Sequence, residues 1–127
     1  MKKVLSIERL KKSFGYAFKG IDDVVSNEPN MKIHVSVAIL VVIMAFLLKI
    51  SMIEWIILVL LIGLVLAAEV INTTIENLVD MYIKDYNERA KVVKDTAAGT
   101  VLILAITSAI IGLMIFVPKI ILVLESL

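Results

Sequence analysis

Cysteine is missing from the 127 residues, histidine occurs once, and net charge is nearly absent at +1. Without cysteine there is no disulfide, no thiolate chemistry and no Cys-based metal site. A single histidine cannot build a His-rich metal centre. A near-zero net charge excludes a nucleic-acid binder driven by bulk positive charge. Residues 1–28 contain no apolar core and no A-x-A site, so no cleavable signal is expected. Neither a Walker-A G-x-x-x-x-G-K-[ST] loop, a kinase Gly-rich loop nor H-R-D occurs. No internal repeat, low-complexity segment or second domain is visible, and the length allows one domain, residues 1–127.

What the chain does have is apolar residues, 61% of the total, beside 20% charged residues. Soluble domains are about 45–50% apolar, so the composition points to an integral membrane protein with little polar bulk. Three apolar stretches stand out. Residues 33–50 are bounded by His34 and Lys49 and reach roughly 27 Å as a helix, close to a hydrocarbon core of about 30 Å. Trp55 to Ala68 is too short to cross alone, so a span there must continue through Glu69 and Asn72. Ala97 to Val117 is uncharged, and Pro118 follows where a helix is expected to stop. The expected membrane helices are about 31–50, 54–83 and 88–117. The N-terminal segment differs. Leu10, Phe14, Phe18, Ile21 and Val25 fall on one helical face, so about 5–26 reads as an amphipathic surface helix. Packing of that face on the protein's own spans is the alternative. Asn27, Glu28, Pro29 and Asn30 break it from the first span.

Basic residues set the orientation. Seven (Lys2, Lys3, Arg9, Lys11, Lys12, Lys19, Lys32) precede the first span, and four (Lys84, Arg89, Lys91, Lys94) lie in the second linker. Lys49 and Lys119 alone lie on the other side. The positive-inside rule then places the N-terminus in the cytoplasm and the C-terminus outside, with Trp55 as an outer interfacial anchor.

At about 100° per residue, Glu69, Asn72, Thr73, Glu76 and Asp80 share one arc of a helix. Stacked carboxylates repel, and ionised groups near lipid are costly and usually functional. A cation or a proton relieves the repulsion. For Asp80, an ordinary solvated helix end is an equal reading. Lys94 and Asp95 reach the same inner boundary beside the small residues Ala97, Ala98 and Gly99, and Glu28 adds a third acidic element. Such a plane can hold Mg²⁺ through oxygen and phosphate through cations. His34 reads as a polar residue at a helix start or interface rather than a ligand. Gly63, Gly99 and Gly112 read as sites of close helix packing.

Glu69-Val-Ile-Asn72-Thr-Thr-Ile-Glu76-Asn-Leu-Val-Asp80, followed by Ala90-Lys-Val-Val-Lys94-Asp95-Thr-Ala-Ala98, resembles the E-x-x-N-[ST]-x-I-E-x-x-x-D and A-K-x-x-[KR]-D-x-x-[AS] signature of the small prokaryotic diacylglycerol kinase and undecaprenol kinase family. The likeness runs over nearly the whole chain and includes Arg9, Gly15-Tyr16, Lys19-Gly20 and Glu28. It implies an all-α homotrimer in the cytoplasmic membrane, each subunit a surface helix plus three transmembrane helices. It also implies transfer of the γ-phosphoryl group of ATP-Mg to a lipid hydroxyl, in sites shared between subunits. By matching position, Glu69 would be the general base and Asn72 would orient the reacting groups, with Glu69 and Ala98 against the lipid. Glu28 and Glu76 would hold the metal. Arg9, Tyr16, Glu28, Glu76, Asp80, Asp85, Tyr86, Asn87, Lys94 and Asp95 would surround ATP. Glu28-Pro-Asn30 with His34, and Ile53-Glu54-Trp55, look like the Gram-positive-type members, for which undecaprenol is the implied acceptor and diacylglycerol the alternative. Glu69 is the deepest carboxylate of the stripe. The competing class is a non-enzymatic membrane trimer that binds or passes cations. The uncharged span centres and the nearby Lys94 argue against it, and ATP consumption dependent on a lipid alcohol separates the two.

Overall fold

The computed structural model describes residues 6–127. The expected helix start at residue 5 and the basic residues Lys2 and Lys3 lie outside that range. Four helices follow in order: α1 (Ile7–Asn27), α2 (Pro29–Leu47), α3 (Met52–Tyr82) and α4 (Glu88–Glu125). There is no strand among the described residues, and α2, α3 and α4 are each long and apolar enough to cross a membrane.

α1 starts at Ser6, whose side chain accepts from the Arg9 backbone N–H at 3.2 Å. None of its residues is buried. Phe14 and Phe18 on the apolar stripe are 58% and 67% exposed, so the protein's own spans leave the stripe uncovered. That is the arrangement of a helix lying on a membrane surface. One residue, Glu28, separates α1 from α2, with φ −97° and ψ 117°. The cause is Pro29: it forbids α geometry in the residue before it and is preorganised as the first residue of the next helix. Glu28 is thereby fixed at a corner, half-buried.

α2 ends at Leu47, earlier than residue 50, because the chain turns through a Schellman closure. Lys49 adopts φ 51°, and its N–H reaches the Phe46 carbonyl at 3.3 Å. The Ile50 N–H reaches the Ala45 carbonyl at 3.3 Å. Ser51 and Glu54 then form a capping box at the start of α3, so the tight connection leaves few backbone groups unpaired. Buried Ala45, Ile50, Leu58, Ile115 and Phe116 form the core of this end, flanked by Trp55. The Trp55 and Phe46 rings meet at 4.8 Å.

α3 runs unbroken past Glu69 and Asn72 and packs mainly along α4. Pro118 does not stop α4, which continues through it to Glu125. Helix-breaking prolines survive in membrane helices because neighbouring groups re-satisfy the freed backbone. Here the turn beyond the proline is tied to α3 by Lys119 and Glu54 at 2.9 Å, and the apolar run Ile120 to Leu124 favours a helix over solvated coil in an apolar setting. The glycines also depart from expectation. A Cβ at Gly63, Gly99 or Gly112 would meet nothing within 4 Å, so none of them admits a neighbouring helix of the same chain.

Candidate functional site

The polar stripe of α3 sinks progressively into the protein. Asp80 is exposed and Glu76 half-buried, whereas Thr73, Asn72 and Glu69 are buried. Glu69 is 2% exposed. This gradient is produced by helical spacing alone. The stripe faces α4 and α2, and each turn inward gains more apolar cover.

Two clefts open along this stripe. The deeper, about 230 Å³, is lined by Asn30 and His34 of α2, Glu69 and Asn72 of α3, and Ala98, Val101, Leu102 and Ala105 of α4. Its α4 wall is entirely apolar, so every polar group comes from α2 or α3. The Asn72 side-chain N–H donates to Glu76 Oε1 at 3.4 Å. That fixes the amide and leaves Asn72 Oδ1 buried with no partner, as is Thr73 Oγ1 beside it. An unpaired buried acceptor costs on the order of 1–3 kcal/mol, so Asn72 Oδ1 is open to a polar group entering the cleft.

The second cleft, about 340 Å³, lies where α3 ends and α4 begins. It is lined by Asp80, Lys84, Asp85, Tyr86, Asn87, Ala90, Lys91, Lys94 and Asp95, with Val79 and Ile83. Lys94 is paired with Asp80 across the two helices, and Lys91 with Asp95 along α4 at 2.5 Å. Asn87 Oδ1 accepts from the Ala90 N–H at 3.0 Å and caps α4. The linker 83–87 is therefore shaped by the same asparagine that borders the cleft.

Of the expected site residues, the structure brings Asp80, Asp85, Tyr86, Asn87, Lys94 and Asp95 to one cleft and Glu69, Asn72 and Ala98 to the other. Glu76 joins them through its bond to Asn72. Glu28 sits at the α1–α2 corner, two positions before the cleft residue Asn30. Arg9 and Tyr16 are exposed on α1 and line neither cleft. His34 is the residue that sequence reasoning set aside. Its Nε2 lies 3.4 Å from Glu69 Oε2, with side chains 20% and 3% exposed. It stands near the start of α2, as expected, and meets the base candidate as well. It lies one turn after Asn30, with which it lines the same cleft, but no signal in the sequence said that this face meets α3.

A hard cation fits the donors present. Glu28 and Glu76 are carboxylates, and Asn72 offers a free amide oxygen. No three acidic or histidine side chains converge among the described residues. Mg²⁺ needs no such cage, since it commonly takes one or two carboxylates and completes its shell with phosphate and water.

Residues 15–116 match the family described as prokaryotic diacylglycerol kinase. The chain is 43% identical over 113 residues to an undecaprenol kinase of Bacillus subtilis, covering 89% of this chain and 92% of that protein. It is 36% identical over 107 residues to a diacylglycerol kinase of Synechocystis sp., covering 84% of this chain and 61% of that protein.

Proposed function

The chain belongs to the prokaryotic diacylglycerol kinase family, and from that premise we propose that it phosphorylates undecaprenol to undecaprenyl phosphate. It is a lipid kinase with membrane-spanning helices, and ATP is its phosphoryl donor. The observation that carries the choice of acceptor is the deeper cleft. A polyprenol presents one hydroxyl and a hydrocarbon chain. The cleft matches that chemistry with a compact polar pole on α2 and α3 and a bare apolar wall of Ala98, Val101, Leu102 and Ala105. The ester carbonyls of diacylglycerol would find no donor on that wall. The 43% identity to an undecaprenol kinase supports the same acceptor.

Glu69 takes the proton of the lipid hydroxyl. The lipid oxygen bonds to the γ-phosphorus, the bond from that phosphorus to the β–γ bridging oxygen breaks, and ADP leaves. Phosphoryl transfer of this kind depends on positioning and charge neutralisation more than on covalent help from the protein. Asn72, fixed by Glu76, orients the groups beside Glu69. Glu28 and Glu76 hold Mg²⁺, which when bound neutralises phosphate charge. Lys94 contributes a cation on the nucleotide side. Asp80, Asp85, Tyr86, Asn87 and Asp95 border the nucleotide, and Ala98 borders the lipid.

Arg9, Tyr16 and Glu28 lie outside both cleft linings of one chain. That supports a homotrimer in which α1 of one subunit covers the nucleotide of another. Basic residues place the N-terminus and the linker 83–87 in the cytoplasm and the C-terminus outside.

The experiment is a competition. Purified protein in lipid receives ATP-Mg with undecaprenol and diacylglycerol together. Undecaprenyl phosphate should dominate the products. Predominant phosphatidic acid would transfer the assignment to diacylglycerol, and ATP consumption indifferent to added lipid alcohol would reject both.

A further inference from the structure

Glu69 is almost completely buried, and its surroundings lack a fixed cation. Around its cleft, α4 contributes only Ala98, Val101, Leu102 and Ala105, α3 adds Asn72, and α2 adds Asn30 and His34. No lysine or arginine lines this cleft. Asn72 donates to Glu76 and makes no hydrogen bond to Glu69 among the described residues. A buried carboxylate requires a hydrogen-bond donor, and the nitrogen in reach is His34 Nε2, 3.4 Å from Glu69 Oε2, a donor in the tautomer protonated there. A movement of a few tenths of an ångström brings that separation into hydrogen-bond range, and catalytic hydrogen bonds commonly tighten when substrate fills the site.

We propose that His34 is the positioning residue of the base: its Nε2–H holds one carboxylate oxygen of Glu69, so that the other faces the lipid hydroxyl. A carboxylate free to rotate about its last side-chain bond would spend much of its time misdirected. The apolar α4 wall cannot correct it. His34 is itself set by backbone geometry, since Pro29 fixes the start of α2 and so the rotational position of every residue on its first two turns. The corner that fixes Glu28 thereby also sets His34 against Glu69. The inference rests on the reading of Glu69 as the base.

Two substitutions separate a reach-dependent hydrogen bond from a merely structural role. In His34→Gln the amide N–H sits near the Nε2 position. In His34→Asn it sits near Nδ1, short of Glu69. Both keep a polar side chain of moderate size. His34→Asn should lower kcat on the order of 100-fold, the cost of a misplaced reacting group, with KM for ATP and for undecaprenol changed less than about threefold. His34→Gln should recover kcat to within about fivefold of wild type. In ¹⁵N spectra of the imidazole, wild-type Nε2 should carry the proton, and its signal should move in Glu69→Gln. Equal kcat in His34→Asn and wild type overturns the proposal. So does a Gln variant no better than the Asn variant, a loss confined to KM, or an Nε2 signal indifferent to Glu69→Gln. Near-normal turnover in Glu69→Gln removes the base assignment itself. An inactive Glu69→Gln beside a fully active His34→Asn removes the positioning role alone.

Discussion

Glu76 illustrates how one side chain carries two duties. It accepts from the Asn72 amide, and in the proposed function its charge also serves the metal. Glu76→Gln separates the two, because a glutamine oxygen still accepts from Asn72 while the charge is gone. The expected outcome is an Mg²⁺ requirement raised about tenfold, equivalent to about 1.4 kcal/mol, with the lipid KM little changed. An Mg²⁺ titration of activity measures it, and an unaltered curve removes Glu76 from the metal site. The carboxylate stripe and its depth order were legible in the sequence because helical periodicity is a local property, whereas the pairing of Lys94 with Asp80 in a cleft apart from Glu69 joins two helices and was not. Nor was the partner of Glu69. His34 and Glu69 are far apart in the chain, and nothing in α2 alone says which of its faces meets α3.

The connection between α2 and α3 is the most economical element in the fold. Four residues, Leu48 to Ser51, turn the chain through the Lys49–Ile50 closure and the Ser51–Glu54 box. The weak point is Lys49, a residue with a Cβ at φ 51°, where a non-glycine residue carries roughly 1–2 kcal/mol of local strain. Lys49→Gly relieves it and loses a little to the greater freedom of the unfolded chain. A net gain of about 0.5–1 kcal/mol is expected, seen as a higher Tm in detergent. A lowered Tm would show that the lysine side chain, rather than the backbone, matters there. The three spans and the surface helix were legible from hydropathy and the spacing of Leu10, Phe14 and Phe18. The fate of Pro118 was not. Proline stops a helix where water competes for the freed carbonyl, and here Glu54 holds Lys119 on the far side of the break.

For the molecule as a whole, orientation rests on an arithmetic asymmetry of lysine and arginine. The absence of cysteine makes that reading simple to test, because a single introduced thiol has no background. A membrane-impermeant maleimide applied to intact cells should label Leu127→Cys and spare Lys84→Cys until the membrane is opened. The reverse pattern would invert the topology. The continuation of α4 beyond Pro118 has a further consequence. From Ala97 to Leu124 its mostly apolar surface, with Lys119 its one charge, reaches roughly 42 Å, whereas α2, at 19 residues, reaches roughly 28 Å. A bilayer of one thickness cannot match both. The longer helix must tilt or carry its last turn into the headgroups, while the shorter one sets the depth at which Glu28, His34 and the base meet their substrates. Membrane thickness is therefore felt unequally by the two walls of the lipid cleft.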